Sequence, residues 1–322
     1  MSSPSGLIES ATFDHFSVWG TSGVLGVTDP AALASARQIL DAEIDATDRA
    51  ASRFRSNSEI LSLNQRSGLG PQSVSPALLD LVRAALHACR ATNGACDPTV
   101  ADAVVALGYD RDFDLLASTP SRSAAGSAAT PAPGIAGIEI DEETLSISLP
   151  ASVHLDLGAS AKARTADRAA ESIHRLLGVG ALVDLGGDLR VVGDPPPGGW
   201  IVGVVSSARE GTPREPDEVI SITSGGLASS STQVRRWHHA GSEVHHIIDP
   251  TTGRPAVGPW TMATTTAASC LDANALATAA IIWGEEALFE LPQRSCAARL
   301  AGENGLVERI GGWPIPNKAD VR

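Results

Sequence analysis

Positive charge is scarce in this chain. Its 322 residues carry 24 Lys and Arg against 37 Asp and Glu, a formal net charge of −13. A surface that binds nucleic acid broadly needs a basic face to release counterions, so that class is excluded. Any anionic ligand must be held by a local device such as a metal ion or a helix N-terminus. Lysine is nearly absent: only Lys162 and Lys318 occur, while arginines are plentiful. Aromatics are 4%, with a single tyrosine, so the core is built from Ala, Val, Leu and Ile with six Trp as large fillers. No segment approaches the roughly 18 consecutive apolar residues of a membrane span, and Met1–Ser10 has no basic start leading into an apolar stretch. Both point to a cytoplasmic protein. The four cysteines, Cys89, Cys96, Cys270 and Cys296, lack zinc-ligand spacing and read as free structural thiols.

Thr12 to Val27 reads as a hairpin with its turn at or near Gly20–Gly23. Asp29-Pro30 then caps a helix that runs to about Ala51, and Ser75-Pro76 opens a second that Asn93-Gly94 ends. Phe54 to Asn64 reads as a polar loop. Residues 115–137, rich in Ser, Ala, Pro and Gly, read as a flexible insertion, and 1–11 and 313–322 as disordered termini around one domain, 12–312. From Ile138 strand patterns dominate: 138–140, 145–149, 153–157, 181–192, 200–205, 219–223, 244–248 and 262–268. Helices at 160–177 and 272–283 interrupt them. This arrangement predicts an α+β fold with a substantial, largely antiparallel sheet and flanking helices.

Several segments carry chemistry. Asp156 to Lys162 joins a strand end, a Gly turn and a helix start, a geometry suited to anions or metals, with Lys162 either functional or a solvated first-turn residue. Asn274 and Thr278, one helical turn apart, present two hard oxygens on one face. Asp272, at the expected N-cap, either adds a carboxylate to the same ion or simply caps the helix. His246, Asp249, Thr251 and Thr252 lie together at a strand-to-turn junction, where an imidazole and a carboxylate suit proton transfer. Asp97-Pro98-Thr99 and Gly186-Gly187-Asp188 are either plain turns or points of close ligand approach; Thr223-Ser224 and Ser229–Ser231 are either turns or the lining of a polar pocket.

In order along the chain, Ser58-Glu59-Ile60 through Asn64, Asp97 to Val100, Asp156 to Lys162, Leu185 to Asp188, Thr223 to Gly225, His246 to Gly253 and Asn274 to Thr278 resemble the FAD:protein FMN transferase (ApbE-type) family from about Phe13 to Trp283. The resemblance implies a single ApbE-type, T-fold-like domain that uses FAD as donor and passes FMN to a Thr or Ser hydroxyl of an acceptor protein domain, with release of AMP. It implies Mg²⁺ held by the carbonyl of Ala159 and by Asn274 and Thr278, where the neutral Asn274 weakens the ion's shell unless Asp272 compensates. His246 is the candidate to accept the hydroxyl proton, with Asp249 as its orienter or the alternative base, and Lys162 would hold either a phosphate or a nearby loop. Glu59, Asn64, Asp97, Thr99, Gly186, Gly187, Asp188, Thr223 and Ser224 fall at positions for flavin-nucleotide contact. The chain departs from the family at Asn274, where Asp is usual, at Ala163, where Gly is usual, and in showing no lipoprotein signal. FAD binding without transfer, and hydrolysis of FAD to FMN and AMP, are the competing expectations.

Overall fold

A computed structural model describes residues 11–113, 116, 129–206 and 215–314. Its centre is an eight-stranded sheet: β1 (Thr12–Val18), β2 (Thr21–Val27), β3 (Ala181–Leu185), β4 (Asp188–Val192), β5 (Gly225–Ser231), β6 (Trp260–Ala267), β7 (Ala297–Gly302) and β8 (Val307–Ile310). Spatial order follows chain order, and every neighbouring pair is antiparallel. The β1–β2 turn is the two residues Trp19 and Gly20, both at positive φ, the backbone sense that matches the twist of the flanking strands.

Helices cover one face. Asp29 accepts from Ala31 N at 2.9 Å, and Pro30 begins a single 3₁₀ turn that leads into α1 (Leu33–Ala51). The stretch expected to be a polar loop contains α2 (Glu59–Gln65), which buries Ile60 and Leu63. Ser75 caps α3 (Pro76–Ala91) through Leu78 N. α4 (Ala161–Leu177) lies on β3 and β4 through Ala163, Ala166, Ala170 and Ile173, small side chains that let helix and sheet approach closely. It stops at Gly178, whose φ of 69° suits a residue without Cβ. α5 (Cys270–Trp283) packs on β5 and β6 and against α3 and α4, so it is apolar almost all round. On the opposite sheet face Leu182, Leu189, Val191 and Leu227 meet Trp200, Val204, Ile220 and Ile222 of a separate hairpin, Trp200–Val204 with Glu218–Ile222.

Three local expectations differ from the structure. Residues 153–157 form no sheet ladder; the Asn64 side chain takes the place of a partner strand, donating to Leu155 O at 2.9 Å and accepting from Leu155 N at 2.8 Å. The run 181–192 is two strands, because Gly186 and Gly187 at φ 71° and 90° turn the chain back on itself. The last helix starts at Cys270 with Ser269 as its N-cap, which moves Asp272 into the first turn. Much of the 115–137 segment lies outside the described residues, as do residues 1–10 and 315–322. The described part of that segment packs: Leu116 is buried beside Trp237, and Ile135 lies against the α2–α3 core. Trp313 is buried too, donating its indole N–H to Glu218 Oε2 at 3.0 Å. Among the described residues no helix is long and apolar enough to cross a membrane.

Candidate active site

The Gly186-Gly187 corner, the start of α4 and one side of α5 enclose a cavity of about 770 Å³, large enough for a dinucleotide. One wall is aromatic. Tyr109 packs against Phe54, Phe113 and Trp237 with ring centroids 5.8, 6.1 and 5.2 Å away. The Arg53 guanidinium stacks over Phe54 and Tyr109 and pairs with Asp156 at 3.3 Å. Trp19 adds a further ring. Such a wall suits a flat, extended heterocycle.

The opposite end is polar. β4 alternates sides, sending Leu189 and Val191 to the hairpin face and Asp188 to the helix face. There Lys162 Nζ donates to Asp188 Oδ2 at 2.7 Å, and Asn274 Nδ2 donates to Asp188 Oδ1 at 2.8 Å. A carboxylate only accepts, so it fixes the amide nitrogen towards itself and leaves Asn274 Oδ1 buried with no partner. Thr278 Oγ1 lies 3.0 Å from Ser230 Oγ, and Gly158, Ala159, Ser229 and Ser231 complete this end. Among the described residues no group of three His, Cys, Asp or Glu side chains is placed to hold a metal. The oxygens of Asn274, Thr278 and the Ala159 carbonyl are the hard neutral donors that Mg²⁺ accepts, and the orphaned Asn274 Oδ1 is a buried acceptor that a cation would satisfy.

His246 and Asp184, both in the lining, are strongly perturbed. Burial, helped by Arg235 and His245, pushes the His246 imidazole down to about 3, so the ring is neutral at physiological pH. Its Nδ1 is buried without a partner. Burial pushes Asp184 up to about 6, aided by Asp188 and opposed by the N–H of Gly187.

The model of the ApbE family matches residues 17–300 of this sequence. The chain belongs to the ApbE family. It is 30% identical over 240 residues to the FAD:protein FMN transferase of Vibrio cholerae, covering 73% of this chain and 69% of that one. Against the protein of the same description from Treponema pallidum it is 29% identical over 285 residues, covering 80% and 76%. In three dimensions it is similar to the ApbE protein of Thermotoga maritima, with a TM-score of 0.79 at 24% identity over 94% of this chain and 97% of that one. The α+β fold with its large antiparallel sheet is therefore the fold of the family.

In this ApbE-family chain Ala159, Lys162, Gly186, Gly187, Asp188, His246, Asn274, Thr278 and Asp97 all line the cavity. Asp97 accepts from both N and Oγ1 of Thr99, whose hydroxyl oxygen in turn accepts from Gly134 N, so Thr99 supports a turn behind the wall. Asn64 holds the segment leading to Asp156, and Glu59 accepts from Ser75 N at 2.8 Å, which ties α2 to α3. Asp249 closes its own turn, accepting from N and Oγ1 of Thr251. Asp272 donates its N–H to the capping Ser269 Oγ, accepts a hydrogen bond from that hydroxyl on its carboxylate at 2.7 Å and pairs with His87 at 2.8 Å, away from the cavity lining. Thr223 and Ser224 line a separate depression with Arg294 and Cys296. The sequence reading did not single out Arg53, Tyr109, Asp184 or Arg235 among the lining residues. Asp184 stands two residues before Gly186-Gly187, and that position was the available signal.

Proposed function

We propose that this chain is an FAD:protein FMN transferase, moving FMN from FAD to a Thr or Ser hydroxyl of an acceptor protein and releasing AMP. The observation that carries the reading is one cavity whose lining combines an aromatic wall, neutral oxygen donors and a neutral imidazole with an unpartnered Nδ1. The names of the relatives agree with it. The flat isoalloxazine suits the Phe54–Tyr109 side, and the pyrophosphate suits the end formed by Ala159, Asn274 and Thr278.

The acceptor oxygen attacks the FMN-side phosphorus. The new O–P bond forms as the bond to the AMP oxygen breaks, and AMP leaves with that electron pair. The hydroxyl proton passes to His246, whose Nδ1 has no partner in the cavity, and the anionic diphosphate beside it would raise the basicity that burial lowers. Ala159, Asn274 and Thr278 would hold Mg²⁺, which when bound neutralises pyrophosphate charge. Lys162, tied to Asp188, fixes the carboxylate that orients Asn274.

The test is intact-mass measurement of a flavin-acceptor domain incubated with the protein, FAD and Mg²⁺, with AMP assayed in parallel. A mass gain of one FMN with equimolar AMP supports transfer. FMN and AMP without modification of the acceptor would move the reading to hydrolysis, and bound FAD with neither product would move it to a binding protein.

A further inference from the structure

Charge in the cavity is unevenly satisfied. Its lining carries four cations, Arg53, Arg55, Lys162 and Arg235, and six carboxylates, Asp48, Asp97, Asp112, Asp156, Asp184 and Asp188. Arg53 pairs with Asp156, Arg55 with Asp48 and Lys162 with Asp188. Among the described residues Arg235 has no carboxylate within ion-pair distance. Its neighbour Arg236 behaves differently, pairing on the surface with Glu243 at 2.8 Å.

The two arginines sit on either side of a strand boundary. In the hairpin Arg236–His239 with Ser242–His245, Arg236 stands opposite His245 and Trp237 opposite Val244. Trp237 and Val244 are buried together, so their face points inward. Arg235 and His246 lie just outside that ladder, in the bends that precede Arg236 and follow His245, and both line the cavity. Trp237 anchors this register by donating its indole N–H to Leu107 O at 2.7 Å. Arg235 also lies near enough to depress the basicity of the His246 ring.

We propose that Arg235 is the pyrophosphate-binding residue of this site, the side chain that supplies the uncompensated positive charge an FAD diphosphate needs in a cavity with excess carboxylate. This rests on the transferase reading and adds to it a residue with a defined target. A guanidinium offers paired N–H donors that match two phosphate oxygens, and one not already occupied by a carboxylate meets them without first breaking an ion pair. Beside His246, it also faces the place where charge builds as AMP departs.

The experiment compares wild type, Arg235→Met and Arg235→Lys for affinity towards FAD, ADP and riboflavin, by flavin fluorescence and calorimetry, in EDTA and again with Mg²⁺. In EDTA the Met variant is expected to lose about 10- to 100-fold in affinity for FAD and ADP. Riboflavin, which has no phosphate, should change less than about twofold, and the Lys variant should recover part of the loss. Unchanged FAD and ADP affinity in Arg235→Met would overturn the proposal. A parallel loss of riboflavin would overturn it as well, since that is damage to the hairpin and not loss of a phosphate contact. If the wild type binds FAD but modifies no acceptor, the transferase reading fails while the affinity comparison still decides the role of Arg235.

Discussion

Replacing Asn274 with Asp tests the polar end of the cavity most directly. Asn274 Nδ2 now donates to Asp188 Oδ1 at 2.8 Å, and Asp188 already has a counter-ion in Lys162 at 2.7 Å. A second carboxylate at that separation is repelled by about 6 kcal/mol at an effective dielectric constant of about 20. Turning the new side chain towards the cavity, or taking up a proton, relieves much of this. The net loss should be about 2–4 kcal/mol, which for a chain of this size lowers Tm by about 3–6 °C. The new carboxyl has a folded pKa above its unfolded value, so the penalty is full at alkaline pH and fades as pH falls from about 7 to about 4. Mg²⁺ reverses the sign of the argument, because the Asn274 position would then offer the ion a charge as well as an oxygen. Thermal unfolding of both proteins, in EDTA and in excess Mg²⁺ from acid to alkaline pH, reads all of this. Asn274→Asp should melt lower in EDTA and gain more from Mg²⁺ than the wild type does. A variant as stable as wild type in EDTA, or one that gains no more from the metal, would refute the reasoning.

Three further outcomes are expected. His246→Ala should abolish FMN transfer in the mass assay while FAD affinity stays within about threefold; transfer at the normal rate rules out the imidazole as base. Asp184, pushed up to about 6, makes the folded protein bind more protons than the unfolded chain between roughly pH 4 and 6, so its contribution falls as pH rises through that window. Asp184→Asn should therefore be more stable than wild type by about 2–3 kcal/mol at pH 8, with the gap closing near pH 4; a gap that does not depend on pH would contradict the assignment. Asn64→Ala removes both hydrogen bonds to Leu155 and should cost about 2–4 kcal/mol in urea unfolding, against well under 1 kcal/mol if solvent replaces them.

The helices were the most legible part of the chain, since Asp29-Pro30 and Ser75-Pro76 mark their starts through local chemistry that needs no partner. The strands were legible as segments, but 153–157 was misread because an alternating pattern reports burial, and here the buried backbone pairs with one side chain. The ordered motifs pointed to residues that share the cavity wall, including Asn274 and Thr278 one turn apart on α5. They could not tell which end of a strand opens into it. Thr223 and Ser224 precede β5, while Ser229 to Ser231 close it, and seven strand residues span about 20 Å. Only the serines reach the site. Arg235 was hidden because two adjacent arginines look alike in sequence, and only the structure shows one lining the cavity while the other pairs with Glu243.

The strand order has a consequence for how the chain is made. Each strand neighbours its predecessor in the sheet, yet between β2 and β3 the ribosome must deliver residues 28–180, the stretch that contains four of the five long helical segments α1 to α4. At ordinary elongation rates that takes on the order of ten seconds. For that time the β1–β2 hairpin exists without the strand that pairs with it, and a lone two-stranded hairpin is marginal in water. Val24 to Val27 therefore present an apolar, unpaired edge to solvent or to a chaperone until β3 emerges, which makes synthesis, more than the finished fold, the stage at which this protein is open to aggregation.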